Sequence, residues 1–161
     1  MGRATHGVKG IDLAEGDEVV GIEVSDPARP NVLAACANGY GKRTSIEEFR
    51  TQNRGGKGII LIDASERNGP VVGVKLVKDG DEVMLITDRG QTLRTRVDEI
   101  RETGRNAQGV KLMTTGEGER IVALERLAES GAEGLVGGPD SMLPPADGNG
   151  GGSMPPPSDL N

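Results

Sequence analysis

Along the chain, apolar residues alternate with polar or small ones in short runs, and glycine-bearing turns close most of the runs, so the reading is β throughout. Asp17–Val24 and Asn31–Ala37 are the first two predicted strands, and Asn38-Gly39 after the second suits a tight hairpin turn. The arrangement returns with Val71–Val77, an Asp79-Gly80 turn, Glu82–Thr87 and an Arg89-Gly90 turn. After each hairpin comes a strand alternating basic with small residues, Lys42–Ile46 or Thr92–Val97, which leads into a short acidic and apolar element ending at Phe49 or Ile100. A further strand, Ile59–Asp63 or Val110–Thr114, follows. About four strands per recurrence is the content of a propeller-like blade.

The recurrence has a fixed step. Arg3-x-x-x-Gly7-Val8, Arg54-x-x-x-Gly58-Ile59 and Arg105-x-x-x-Gly109-Val110 lie 51 residues apart. Asn38-Gly39 with Lys42-Arg43-Thr44 keeps the same step to Arg89-Gly90 with Leu93-Arg94-Thr95. In register, residues 31–81 and 82–130 are two units, and residues 1–30 supply the second half of another. The array therefore holds about two and a half blades and opens inside one. Repeat units bury their faces against neighbours, so an upstream part is expected.

Composition divides the chain in two. The sequence has 161 residues with 26 glycines and nine prolines, and from Gly131 onward it runs through Pro144-Pro145, Gly150-Gly151-Gly152-Ser153 and Pro155-Pro156-Pro157. Nothing there builds a core, so residues 1–130 are expected to fold and 131–161 to form a disordered, weakly acidic tail. Of the 25 acids, five follow Arg126, leaving 20 against all 19 bases in the folded part. Such a balance makes the position of each charge matter more than the sum.

Other classes drop out. One cysteine, Cys36, excludes a disulfide framework, and no spacing offers a zinc site. No apolar run approaches the roughly 20 residues of a membrane span, and no signal peptide is evident, so a soluble cytoplasmic protein is expected. Gly41-Lys42 resembles a fragment of a phosphate loop, but that motif needs glycine at position 36 and serine or threonine at 43, where Cys36 and Arg43 stand. His6 and Cys36 have no evident catalytic partners, and Tyr40 lies between two glycines in a hairpin turn. Tyr40 and Phe49 are the only aromatics, too few for the stacking platforms of single-strand binders.

Specific residues then carry a resemblance. Met1-Gly2-Arg3-Ala4-Thr5 with Gly7-Val8-Lys9-Gly10-Ile11, Asn38-Gly39-Tyr40-Gly41-Lys42-Arg43-Thr44, Glu66-Arg67-Asn68-Gly69 and Leu85-Ile86-Thr87-Asp88 resemble the last blades of the DNA gyrase A C-terminal domain. Arg94-Thr95-Arg96-Val97 with Ile100, and Gly104-Arg105-Asn106-x-Gln108-Gly109-Val110, fit as well, so the resemblance covers residues 1–129. It implies an all-β fold, here a partial β-pinwheel, from a domain of about six blades that wraps double-stranded DNA around its rim. It further implies association with the rest of gyrase A, and with gyrase B, in an A2B2 holoenzyme that adds negative supercoils. ATP and magnesium would be bound elsewhere in that assembly, and the DNA-cleaving tyrosine would lie in a separate region, leaving this chain non-catalytic and without a cofactor. Gln52-Asn53-Arg54-Gly55-Gly56-Lys57-Gly58 resembles the family's gyrase-A box, departing only at Asn53. That box belongs to the family's first blade, whereas here the motif sits in a late unit.

The basic positions give the same direction on their own chemistry. Arg3 and Lys9, Lys42 and Arg43, Arg54 and Lys57, Arg94 and Arg96, and Arg105 and Lys111 stand beside turn glycines in successive repeats. Glycines permit close backbone approach, and bases recurring on a curved rim meet phosphates at intervals along a bent duplex. Turn geometry alone also accounts for the glycines, and Glu47, Glu48, Asp98 and Glu99 are available to pair with the arginines. Two further readings remain open: the C-terminal domain of the A-type component of topoisomerase IV, and a blade array that binds protein or serves structure without DNA.

Overall fold

The computed structural model describes residues 2–128, and the expected tail lies outside them. Seven strands form in chain order: β1 (Asn31–Cys36), β2 (Tyr40–Ser45), β3 (Val71–Val77), β4 (Glu82–Thr87), β5 (Thr92–Arg96), β6 (Val110–Lys111) and β7 (Ile121–Arg126). They make two antiparallel sheets, ordered β3-β1-β2-β6 and β5-β4-β7. The two central hairpins, β1-β2 and β4-β5, turn at Gly39 and Gly90, whose φ angles of 93° and 80° place them in the left-handed region.

The acidic and apolar elements after the hairpins are single 3-10 turns, Ile46–Glu48 and Val97–Glu99, capped at Phe49 and Ile100. They end the basic strands because the backbone tightens there: the N–H groups of Phe49 and Ile100 return to the carbonyls of Ile46 and Val97 at 3.0 Å.

Each unit is completed by a strand that is late in sequence. β3 lies on β1 in the pairing Val32↔Leu76, Ala34↔Val74, and β7 lies on β4 as Leu85↔Leu124. The fourth strand of the first sheet is borrowed from the following unit, since β6 pairs with β2 through Tyr40↔Lys111 and Gly41↔Val110. The main core sits between the sheets, where Leu33, Ala35 and Val77 meet Val83, Leu85, Val97, Ile100, Ile121 and Leu124. A smaller cluster of Ala34, Cys36 and Ile62 fills the other side of β1. Every residue of β1 is thereby buried, whereas β4 alternates buried with half-buried positions.

Three expected strands differ. Residues 17–24 form no strand, and Val19, Val20, Ile22 and Val24 are 63%, 47%, 90% and 84% exposed. Their alternation suits a strand, but no strand among the described residues holds for them the position that β1 holds for β3. Ile59–Asp63 likewise forms none, and Val110–Thr114 shortens to β6. Four strands per period holds for the first sheet only by the loan of β6.

Candidate nucleic-acid interface

The Arg-x-x-x-Gly elements are surface turns rather than strands. Their glycines Gly7, Gly58 and Gly109 have φ angles of 80°, 83° and 99°, so the motif is a turn signature before it is anything else. At Gly109 a side chain would also meet the Gly41 carbonyl oxygen at 2.7 Å, because β6 starts there against β2.

Backbone pairing brings two of the basic segments together. Ile11 bridges Gly56, with Asp12 N–H donating to the Gly56 carbonyl and Gly55 N–H to the Gly10 carbonyl, each at 2.8 Å. Lys9, Arg54 and Lys57 thus border one ladder of close backbone, and all three are exposed. Lys9 is engaged locally by Asp12. Arg3 is exposed on the turn before them.

A second group lies further along. Arg50, Gly58, Ile59, Ile60, Asp63, Arg105 and the residues after it line an open groove of about 450 Å³, which joins the end of one Arg-x-x-x-Gly turn to the start of the next. Arg105 is half-buried there, while Arg50 and Lys111 are exposed. The Tyr40 ring carries Arg67 at 4.4 Å and Lys111 at 5.7 Å from its centroid. Arg67 also donates to the Gly109 carbonyl at 2.9 Å, and buried Asn68 donates to the carbonyls of Asp63 and Gln108 at 2.7 and 2.8 Å. These contacts tie the loop of one unit to the basic turn of the next. Tyr40, expected in a turn, is the first residue of β2.

The remaining expected contacts separate. Lys42 and Arg43 are internal, at 0% and 7% exposure, and are withdrawn from any external ligand. The Lys42 ammonium donates to the carbonyls of Gly104, Arg105 and Ala107, and burial pushes its pKa down. The Arg43 guanidinium donates to Asn31 Oδ1 at 3.0 Å, to the Val97 carbonyl at 2.8 Å and to Asp79 Oδ1 at 2.6 Å. Alternation in β2 hides this from sequence, because both faces of that strand are covered. Arg94 and Arg96 are exposed but pair with Glu82 and Asp98. Exposed Arg50 and Arg67 lie outside the set that the turn motif marks, although Arg50 recurs as Arg101 with the 51-residue step.

Among the described residues no cluster of histidine, cysteine or acidic side chains has the arrangement of a metal site, and no helix is long and apolar enough to cross a membrane. Sheets stacked by a repeat, with basic turns recurring at a fixed step, define a propeller-type blade array. The model of the DNA gyrase C-terminal domain, a β-propeller family, matches residues 1–26, 31–78 and 81–128, and the chain belongs to that family. Among its relatives, the DNA gyrase A protein of Escherichia coli is 52% identical over 131 residues, which is 80% of this chain and 15% of the relative. The corresponding protein of Neisseria gonorrhoeae is 46% identical over 136 residues, 82% of this chain and again 15% of the relative. The chain thus spans about 15% of the length of these proteins. A solved gyrase A C-terminal domain superposes with a TM-score of 0.70 at 29% identity, covering 76% of this chain and 41% of the other. The topoisomerase IV C-terminal domain shares the fold, with a TM-score of 0.68 at 24% identity over 74% of this chain and 38% of the other.

Proposed function

We propose that the chain binds and wraps duplex DNA as the C-terminal part of gyrase A, supporting ATP-dependent negative supercoiling by a holoenzyme with gyrase B in the cytoplasm. The observation that carries the reading is the recurrence of basic surface turns at a fixed step on a family member's fold: exposed Arg3, exposed Arg54 with Lys57, and half-buried Arg105 with exposed Lys111. Lys9, Arg94 and Arg96 are contacts of lower weight, since each already has a carboxylate partner. Arg50 and Arg67 join the set through the groove and the Tyr40 cluster.

The chemistry asked of these residues is positioning. Bending a duplex costs on the order of 1–6 kcal/mol per 20–30 base pairs in smooth elastic terms, so several distributed phosphate contacts must share it. Such contacts carry little sequence information. In this reading the chain performs no bond chemistry and holds no ATP or magnesium; those belong to other parts of the assembly.

Anisotropy of a labelled duplex across a salt series tests the proposal. The log of affinity should fall against log salt by about 0.9 for each phosphate contact, and Arg54→Ala and Arg105→Ala should each flatten that slope by about one contact. Affinity that ignores salt, or no binding at low salt, would leave the protein-interaction reading. Ligation of nicked circles with the protein bound should trap negative writhe; binding without writhe would favour the guiding role of a topoisomerase IV domain.

A further inference from the structure

Lys42 and the turn it touches belong to different units. The lysine sits in the middle of β2, fully buried, and its Nζ reaches three carbonyls of the next unit's basic turn: Arg105, Gly104 at 3.3 Å and Ala107 at 3.0 Å. The same turn is held at two more points. Glu48 Oε2 accepts the Arg105 N–H at 2.5 Å, and the Thr103 N–H donates to the Arg43 carbonyl at 2.8 Å. Inside the turn, Ala107 N–H closes back on the Gly104 carbonyl at 3.1 Å. Arg105 itself lines the groove that runs on to Gly58.

We propose that Lys42 is a positioning residue: its ammonium gathers the carbonyls of residues 104–107 and so sets the place of Arg105 relative to the basic turn one unit earlier. The duplex part of this inference rests on the DNA-wrapping function proposed for the chain; the holding of the turn does not.

A buried ammonium without its hydrogen bonds is costly, so the three carbonyls and the lysine stabilise one arrangement and penalise others. Glu48 adds an attractive charge and Arg105 a repulsive one at the same point. The position one period later is Leu93, which has no ammonium, so the device belongs to this boundary. Direct contact of Lys42 with a phosphate would need the turn to leave.

Lys42→Met keeps most of the length of the side chain and removes the donor. Hydrogen exchange of the free protein should show the amides of residues 103–109 exchanging about tenfold faster, with β1 and β4 unchanged, and Lys42→Gln, which retains an amide donor, should lie between. In duplex affinity, Lys42→Met combined with Arg105→Ala should lose no more than about twofold beyond the larger single loss, because one residue acts through the other. Unchanged exchange at 103–109 would overturn the proposal, and so would fully additive affinity losses. If Lys42→Met does not fold, Lys42→Gln decides through the same amides. Should the unaltered protein not bind a duplex at low salt, the DNA reading fails while the exchange result still decides whether Lys42 holds the turn.

Discussion

Arg43 and Arg94 stand at the same position of consecutive units, yet the first side chain is 8% exposed and the second 55%. The difference lies in what covers them. β2 has β6 on one edge and the 3-10 turn of the next unit above it, so Arg43 is enclosed and its Nη1 donates to the carbonyls of Val97 and Ile100, while among the described residues β5 has no such cover and Arg94 meets Glu82 in solvent. Arg43→Ala should lower unfolding free energy by about 2–4 kcal/mol, because buried carbonyls lose their donor. Arg94→Ala should cost within about 1 kcal/mol, as exposed pairs do. Urea denaturation of the two variants checks this, and equal losses would show that Arg43's enclosure contributes nothing. Cys36 makes a related point: it is fully buried on β1, and burial pushes its thiol pKa up. Its reaction with a thiol reagent should therefore follow the rate of opening of the fold and become fast only in denaturant.

Among the elements, what was legible in the sequence is what is local. Alternation and a turn glycine specify β1, β3, β4 and β5, whereas β7 (Ile121–Arg126) was not read from the sequence. Residues 17–24 carry the same alternation and stay unpaired, because a strand exists only where a partner donates and accepts, and pairing is not local. The burial of Lys42 was illegible for the same reason, since its three acceptors lie 62 to 65 residues away in sequence. The basic candidate positions were legible as a motif but not as a surface: the turn residues stay accessible, while Lys42 and Arg43 go inside. Gly109→Ala should destabilise on the order of 1–3 kcal/mol, since it combines a left-handed backbone with a Cβ against the Gly41 carbonyl, and thermal unfolding would show it. Among the described residues β5 is an edge strand, and its exposed residues include Arg94 and Arg96. Charges on such an edge oppose pairing with other chains. Replacing both arginines by valine should raise light scattering on warming; unchanged scattering would mean that the edge is guarded otherwise.

For the whole molecule, apolar cover is uneven along the described residues. The first sheet has cover on both faces of β1, but the segment before it presents Ile22 and Val24 almost wholly to solvent. Apolar side chains left so open contribute nothing to folding and invite association. Ile22→Lys with Val24→Thr should leave the melting temperature within about 2 °C and lower the weight-average mass seen by sedimentation at high concentration. A drop in melting temperature would mean that these residues pack in solution. The near balance of acids and bases up to Arg126 places any affinity for a duplex in the arrangement of the basic turns rather than in net charge.

The loan of β6 to the first sheet has a consequence for inheritance and engineering. The sequence period and the folded module are out of phase, so a crossover placed between residues 81 and 82 divides the sequence cleanly and the architecture badly. The upstream piece would keep β3, β1 and β2 but lose the strand that closes its edge. A graft that transplants residues 31–113 together carries the donor strand, Lys42 and its three acceptors as one inheritance. Duplication of such an array therefore multiplies seams as well as blades, and each new copy must match its neighbour before it can differ from it.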